Sequence, residues 1–278
     1  EWKDDPDMIS DVMRFLDNVL SDFINKAPDQ FKDAIYSAER ERSVGLGVMG
    51  LHSFFQQKNI PFGSVMSKVW NQKIFKHIQE QADFASKKLA EERGACPDAE
   101  EYGIKERFSN KTAIAPTASI SIICGGASPG IEPIAANSYT HKTLSGSYNV
   151  RNKYLEKILE KHGKNDNETW STITTNQGSV SHLDFLTEQE RETFKTAFEI
   201  DQRWVVELGA DRTPHISQAQ SVNVFVPADI HKKELHDIHF QAWKKGLKSL
   251  YYCRSKSIQR AENINSGSST DVELNVYK

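Results

Sequence analysis

Cysteine is scarce in this sequence: 278 residues hold only Cys96, Cys124 and Cys253. They lie too far apart for a Cys-x-x-Cys site or a disulfide framework, and a reducing cytoplasm is the compartment such usage fits. Long apolar runs are missing too, and none approaches the roughly 18–20 residues that cross a bilayer. The chain opens Glu1-Trp-Lys-Asp-Asp5, without a secretory signal and without an initiator Met, so we expect a piece of something longer. Net charge is slight, −3 at pH 7, which gives no electrostatic case for nucleic acid or a membrane surface. Internal repeats and low-complexity tracts are absent. What remains, 38% hydrophobic and 26% charged residues, is the balance of a soluble globular chain with one large domain or two small ones.

Apolar residues at helical spacing predict four helices. Residues 7–24 set Met8, Val12, Phe15, Leu16, Val19, Leu20 and Phe23 on one stripe. Residues 64–93 repeat the pattern through Val69, Ile74, Ile78, Ala82, Ala85 and Leu89, then stop at Gly94. Thr187 with Glu190 three positions on has the form of a capping box and opens a third helix, 187–209, closed by Gly209. A fourth runs over 229–246, from Asp229 to Gly246. Lys111–Ala115, Val222–Val226 and Leu247–Cys253 read as short strands between them. Alternating strands and helices argue for an α/β class with parallel pairing. Residues 262–278 are polar with few large apolar side chains and read as a flexible tail.

Two motifs can carry chemistry. Pro116-Thr117-Ala118-Ser119-Ile120 follows an apolar strand-like segment and combines small side chains with two hydroxyls. Small residues let backbone N–H groups come close to an anion, and a helix starting there would add its positive end. An ordinary turn or helix cap is the plainer reading of the composition. Tyr251 and Tyr252 are adjacent, and neighbouring phenols can pass an oxidising equivalent if each proton has somewhere to go. Adjacent tyrosines are more often simply packed. Other features carry less. Gly45-Leu-Gly-Val-Met-Gly50 fits a Gly-x-Gly-x-x-Gly pattern but follows Glu39-Arg-Glu-Arg42 instead of an apolar strand, the wrong context for a dinucleotide fold. The Glu39–Arg42 run reads as a solvated, salt-bridged face. His231, His236 and His239 lack the cysteines or carboxylates of a metal site, so no metal ligand is assigned. Cys96 and Cys124 read as structural, and Cys253 as packed or variable.

Taken together, Ala115-Pro-Thr-Ala-Ser-Ile120, Gly130-Ile-Glu-Pro133, Ser217-Gln-Ala-Gln-Ser-Val-Asn223 and Leu250-Tyr-Tyr252 resemble the C-terminal part of the large, catalytic subunit of class I ribonucleotide reductase. The resemblance runs from about Trp2 to Arg260. It implies an α/β fold, the C-terminal part of a ten-stranded α/β barrel, over residues 1–261. It implies that Pro116, Thr117, Ala118, Ser119 and Ile120 cradle the diphosphate of a ribonucleoside diphosphate, with Pro116 shaping the loop. Tyr251 and Tyr252 would relay a radical toward an active-site cysteine on an upstream finger loop. The glycines of 45–50 would permit close packing of a helix.

By the same resemblance this chain binds no cofactor, and a radical metallocofactor belongs to a small partner subunit. The other expected partners are a complementary N-terminal part that completes the barrel and a thiol reductant such as a thioredoxin or glutaredoxin. The family's tail cysteine pair has no counterpart in 262–278. That lack leaves an alternative from another class, a non-catalytic nucleotide-binding or assembly module that kept the fold.

Overall fold

The computed structural model describes residues 5–143 and 146–255, so the segment read as a tail lies outside the described residues. Four extended segments run parallel, side by side and in chain order. Residues 44–47 bond to 110–113, which in turn bond to 217–221 through Gln218 N–H to Thr112 O and Ile114 N–H to Ala219 O. The last pair is regular strand: β3 (Val224–Val226) lies parallel to β4 (Cys253–Ser255), with Val224 opposite Cys253. Helices form the crossovers, as parallel neighbours require.

Before the first segment come α1 (Met8–Lys26) and α2 (Lys32–Glu41). Between the first and second lie α3 (Leu51–Gln57), α4 (Val65–Arg93) and α5 (Pro97–Glu101). The long connection to the third carries α6 (Ile120–Ile123), an antiparallel hairpin of β1 (Ser138–Thr143) and β2 (Gly146–Arg151), α7 (Lys153–Lys161), α8 (Asn167–Thr175), α9 (Glu188–Thr193) and α10 (Gln202–Arg212). α11 (Lys232–Lys244) joins β3 to β4.

Packing follows from the apolar stripes. The central core sets Leu51 and Phe55 of α3, Phe75 of α4, and Val205 and Leu208 of α10 against Ile114 and Val222 of the sheet. A second cluster joins Ile9 and Met13 of α1 to Ala82, Ala85 and Leu89 of α4. α7, α8 and the turns after them close over Leu155, Leu159, Trp170, Ile173 and Phe194. Each such large side chain contributes roughly 1.5–3 kcal/mol by leaving water.

The structure corrects several expectations. The single helix over 187–209 is two helices with a turn between. Thr187 and Glu190 do form the capping box, but α9 ends at Thr193. Glu199 then accepts from Thr196 N–H and Oγ1, both at 2.8 Å, and Asp201 caps α10 through Arg203 N–H. Phe194, Ala197 and Ile200 are buried across the break, so apolar spacing continued where the helix did not. The fourth helix starts at Lys232 with His231 as its cap, not at Asp229. The last strand begins only at Cys253.

Arg42 is not on a solvated face: it is buried and bonded to Asp17. Of the glycines in 45–50, Gly45 and Gly47 admit the 110–113 segment, and Gly50, at φ +84°, stands at the start of α3. A Cβ on Gly47 would sit 2.5 Å from Ala113 O, so the 44–47 segment can pair with 110–113 only without one.

Candidate active site

Residues 116–120 continue the second sheet segment into α6. Thr117 takes φ +51°, a left-handed conformation that β-branched residues seldom adopt. Its surroundings hold it there. Gly130 N–H donates to Thr117 Oγ1 at 2.7 Å, and Ser121 N–H donates to Thr117 O at 3.1 Å. Gly130 is itself at φ +46°, and a Cβ there would lie 2.9 Å from Ala115 O, so the two loops touch backbone to backbone. Strain of this kind costs roughly 1–3 kcal/mol and gathers at working sites. Pro116 and Thr117 are half-buried, whereas Ala118, Ser119 and Ile120 are open to solvent. α6 does begin at Ile120 but is only four residues long, so the loop itself, not a helix dipole, is the main feature.

The tyrosines lie just ahead of β4 beside the third segment. Their rings are 4.1 Å apart between centroids and tilted by 47°, with the hydroxyls 3.4 Å apart, long for a hydrogen bond. Both side chains are about half exposed. The contact with Tyr252 raises the Tyr251 phenol above its ordinary pKa, so it keeps its proton at neutral pH. Tyr251 N–H donates to Val222 O at 2.8 Å, Tyr252 N–H to Asn223 Oδ1 at 2.9 Å, and Val224 N–H to Tyr252 O at 3.0 Å.

Two residues from the sequence motifs prove to connect these parts. Glu132 is buried, and Asn223 Nδ2 donates to its Oε1. Burial pushes the Glu132 carboxyl upward in pKa, opposed by the charge of Arg254 and the bond from Asn223. Behind this segment, His52 Nδ1 accepts Ile134 N–H at 2.9 Å. Burial drives the His52 imidazole down to about 3, so it stays neutral. Glu132 and Asn223 stand in the Gly130–Pro133 and Ser217–Asn223 motifs, but their contact spans 91 residues and no local pattern announces it.

The weaker candidates are dispersed. His231 caps α11, His236 stacks on Phe240, and His239 Nδ1 meets Leu235 O. Among the described residues, no group of three or more His, Cys, Asp or Glu is placed to hold a metal ion. No helix among them is long and apolar enough to cross a membrane. Cys96 is buried at the start of α5, whereas Cys124 and Cys253 are exposed.

A family described as ribonucleotide reductase, barrel domain, matches residues 2–105 and 98–253. The chain belongs to this family. It is 49% identical over 270 residues to the ribonucleoside-diphosphate reductase large subunit of Invertebrate iridescent virus 6, covering 96% of this chain and 28% of that protein. The large subunit of Invertebrate iridescent virus 3 is 42% identical over 274 residues, covering 97% of this chain and 43% of its own length. An Actinobacillus ureae class Id ribonucleotide reductase alpha subunit shares the fold with a TM-score of 0.85 at 38% identity, over 96% of this chain and 49% of that one. The chain thus spans less than half the length of these relatives. Its four parallel segments and their crossovers form part of the reductase family's α/β barrel.

Proposed function

We propose that this chain is the part of a class I ribonucleoside-diphosphate reductase large subunit that holds the substrate's diphosphate and relays the radical. The observation that carries this reading is the ring contact of Tyr251 and Tyr252, 4.1 Å between centroids, with both side chains about half exposed. A hop across that gap takes one electron and one proton from one phenol and returns them to the other. The oxidant at the solvent side is a separate radical-generating subunit, which carries the metallocofactor. At the inner end the relay delivers to a cysteine that lies outside this sequence. Pro116–Ile120 holds the diphosphate of a ribonucleoside diphosphate, its backbone and the Ser119 hydroxyl facing the oxygens. The product is a deoxyribonucleoside diphosphate, and a thiol reductant such as a thioredoxin or glutaredoxin restores the oxidised site.

The complementary part of the large subunit supplies the remaining strands. Two features support that partner. Among the described residues, 44–47 pairs with a strand on one side only, as does β4. The α1 face bearing Val12, Phe15, Val19 and Phe23 is exposed. The test is turnover in the reconstituted enzyme. Tyr251→Phe or Tyr252→Phe removes the ionisable phenol but keeps the ring, so each variant should lose turnover while binding the diphosphate substrate nearly as before. Normal turnover in either variant defeats the relay.

A further inference from the structure

We infer that Asn223 and Glu132 are positioning residues that hold the tyrosine rings in contact and lock the pair to the Pro116–Ile120 loop. In a regular parallel ladder, one residue donates its N–H to the residue before its opposite number and accepts, through its C=O, from the residue after it. Opposite Asn223 the work is divided. Tyr251 N–H bonds to Val222 O, while Tyr252 O accepts from Val224 N–H. Two residues therefore face one, which is a bulge, a device that re-aims side chains. Without it, successive side chains would point to opposite faces of the strand. The rings of Tyr251 and Tyr252 could not then lie 4.1 Å apart.

The extra residue leaves one amide, Tyr252 N–H, without a ladder partner. Asn223 supplies the missing acceptor through Oδ1 at 2.9 Å. The same carboxamide turns its Nδ2 to Glu132 Oε1. Glu132 lies two residues beyond Gly130, whose N–H is fixed on Thr117 Oγ1 at 2.7 Å. The alignment of the tyrosines and the strained conformation of Thr117 thus belong to one chain of contacts. Asparagine suits the task because one short planar group carries both the acceptor and the donor. Asn223 and Glu132 are both buried, 1% and 4% exposed, so neither bond is readily replaced by water.

The geometry stands by itself, whereas its effect on catalysis rests on the relay proposed above. The test uses the complete large subunit with its radical-generating partner. Asn223→Leu removes both bonds at similar volume. It should lower kcat about tenfold or more, since small misplacements near reacting groups are costly. KM for the ribonucleoside diphosphate should stay within about twofold. Deuterium exchange in the peptide carrying the Tyr252 amide should quicken, with α4 peptides unchanged.

Should Asn223→Leu fail to fold, Glu132 provides the second comparison. Glu132→Gln keeps the acceptor and should remain within about threefold of wild-type kcat, while Glu132→Leu should fall with Asn223→Leu. Unchanged exchange and kcat in Asn223→Leu, or equal behaviour of the two Glu132 variants, overturns the inference. Tyr251→Phe and Tyr252→Phe run alongside. If they turn over normally the relay fails, yet exchange at the Tyr252 amide still decides whether Asn223 holds the bulge.

Discussion

Asp17 shows how far one residue can depart from its local pattern. It lies on α1, fully buried, and meets Arg42, Arg93 and Arg107. Burial alone would raise its carboxyl, but the bonds from Arg107, Arg93 and Arg42 outweigh that and hold it below the ordinary carboxylate range. A depressed acid stabilises the fold fully above the unfolded Asp value and less as pH falls through its own lower one. Unfolding in urea should therefore show a loss of stability below about pH 4. Asp17→Asn should cost about 3–5 kcal/mol at neutral pH, because three arginines lose their shared counter-charge, and its profile should be flatter in acid. None of this was legible from composition or spacing. The three partners stand 25, 76 and 90 positions away, and Arg42 reads locally as one more charge in a polar run. The loop and the tyrosines stand out in the sequence by contrast as candidates, because each motif is contiguous.

Elements were easiest to foresee where an apolar stripe met a clean stop. α4 matches its expected span, bounded by a Ser64 capping box and Gly94. The 187–209 stretch misled because Phe194, Ala197 and Ile200 keep helical spacing while packing from a turn. A second cap, Asp201 before Gln202, was the available sign. The hairpin of β1 and β2 was not foreseen, since its strands are mostly polar and β2 is largely exposed, so no apolar face marks it. At this scale the sharpest test is Gly47→Ala. The new methyl would meet Ala113 O, a backbone atom that cannot swing away, and the two segments would be forced apart. Overpacking of this kind costs about 1–3 kcal/mol, visible as a lower unfolding midpoint in urea.

The molecule as a whole exposes an apolar ridge on its first helix. Phe15 is 63% and Val19 51% exposed, both on the side of α1 turned away from α4. Apolar surface of this sort promotes association. Phe15→Glu with Val19→Glu should leave the midpoint of unfolding nearly unchanged, because neither side chain joins the α1–α4 contact. Sedimentation should show less self-association of the isolated chain, and weaker capture of the complementary part proposed above. An unchanged affinity for that part would remove α1 from the junction. The sheet order has a separate consequence. Among the described residues its segments are neighbours in space in the same sequence in which they are synthesised, with none threaded between later ones. A gene cut inside a crossover would therefore yield two continuous arcs, and rejoining them would require only that both edges of one meet both edges of the other. Such a barrel can be divided between two messages without unpicking the weave.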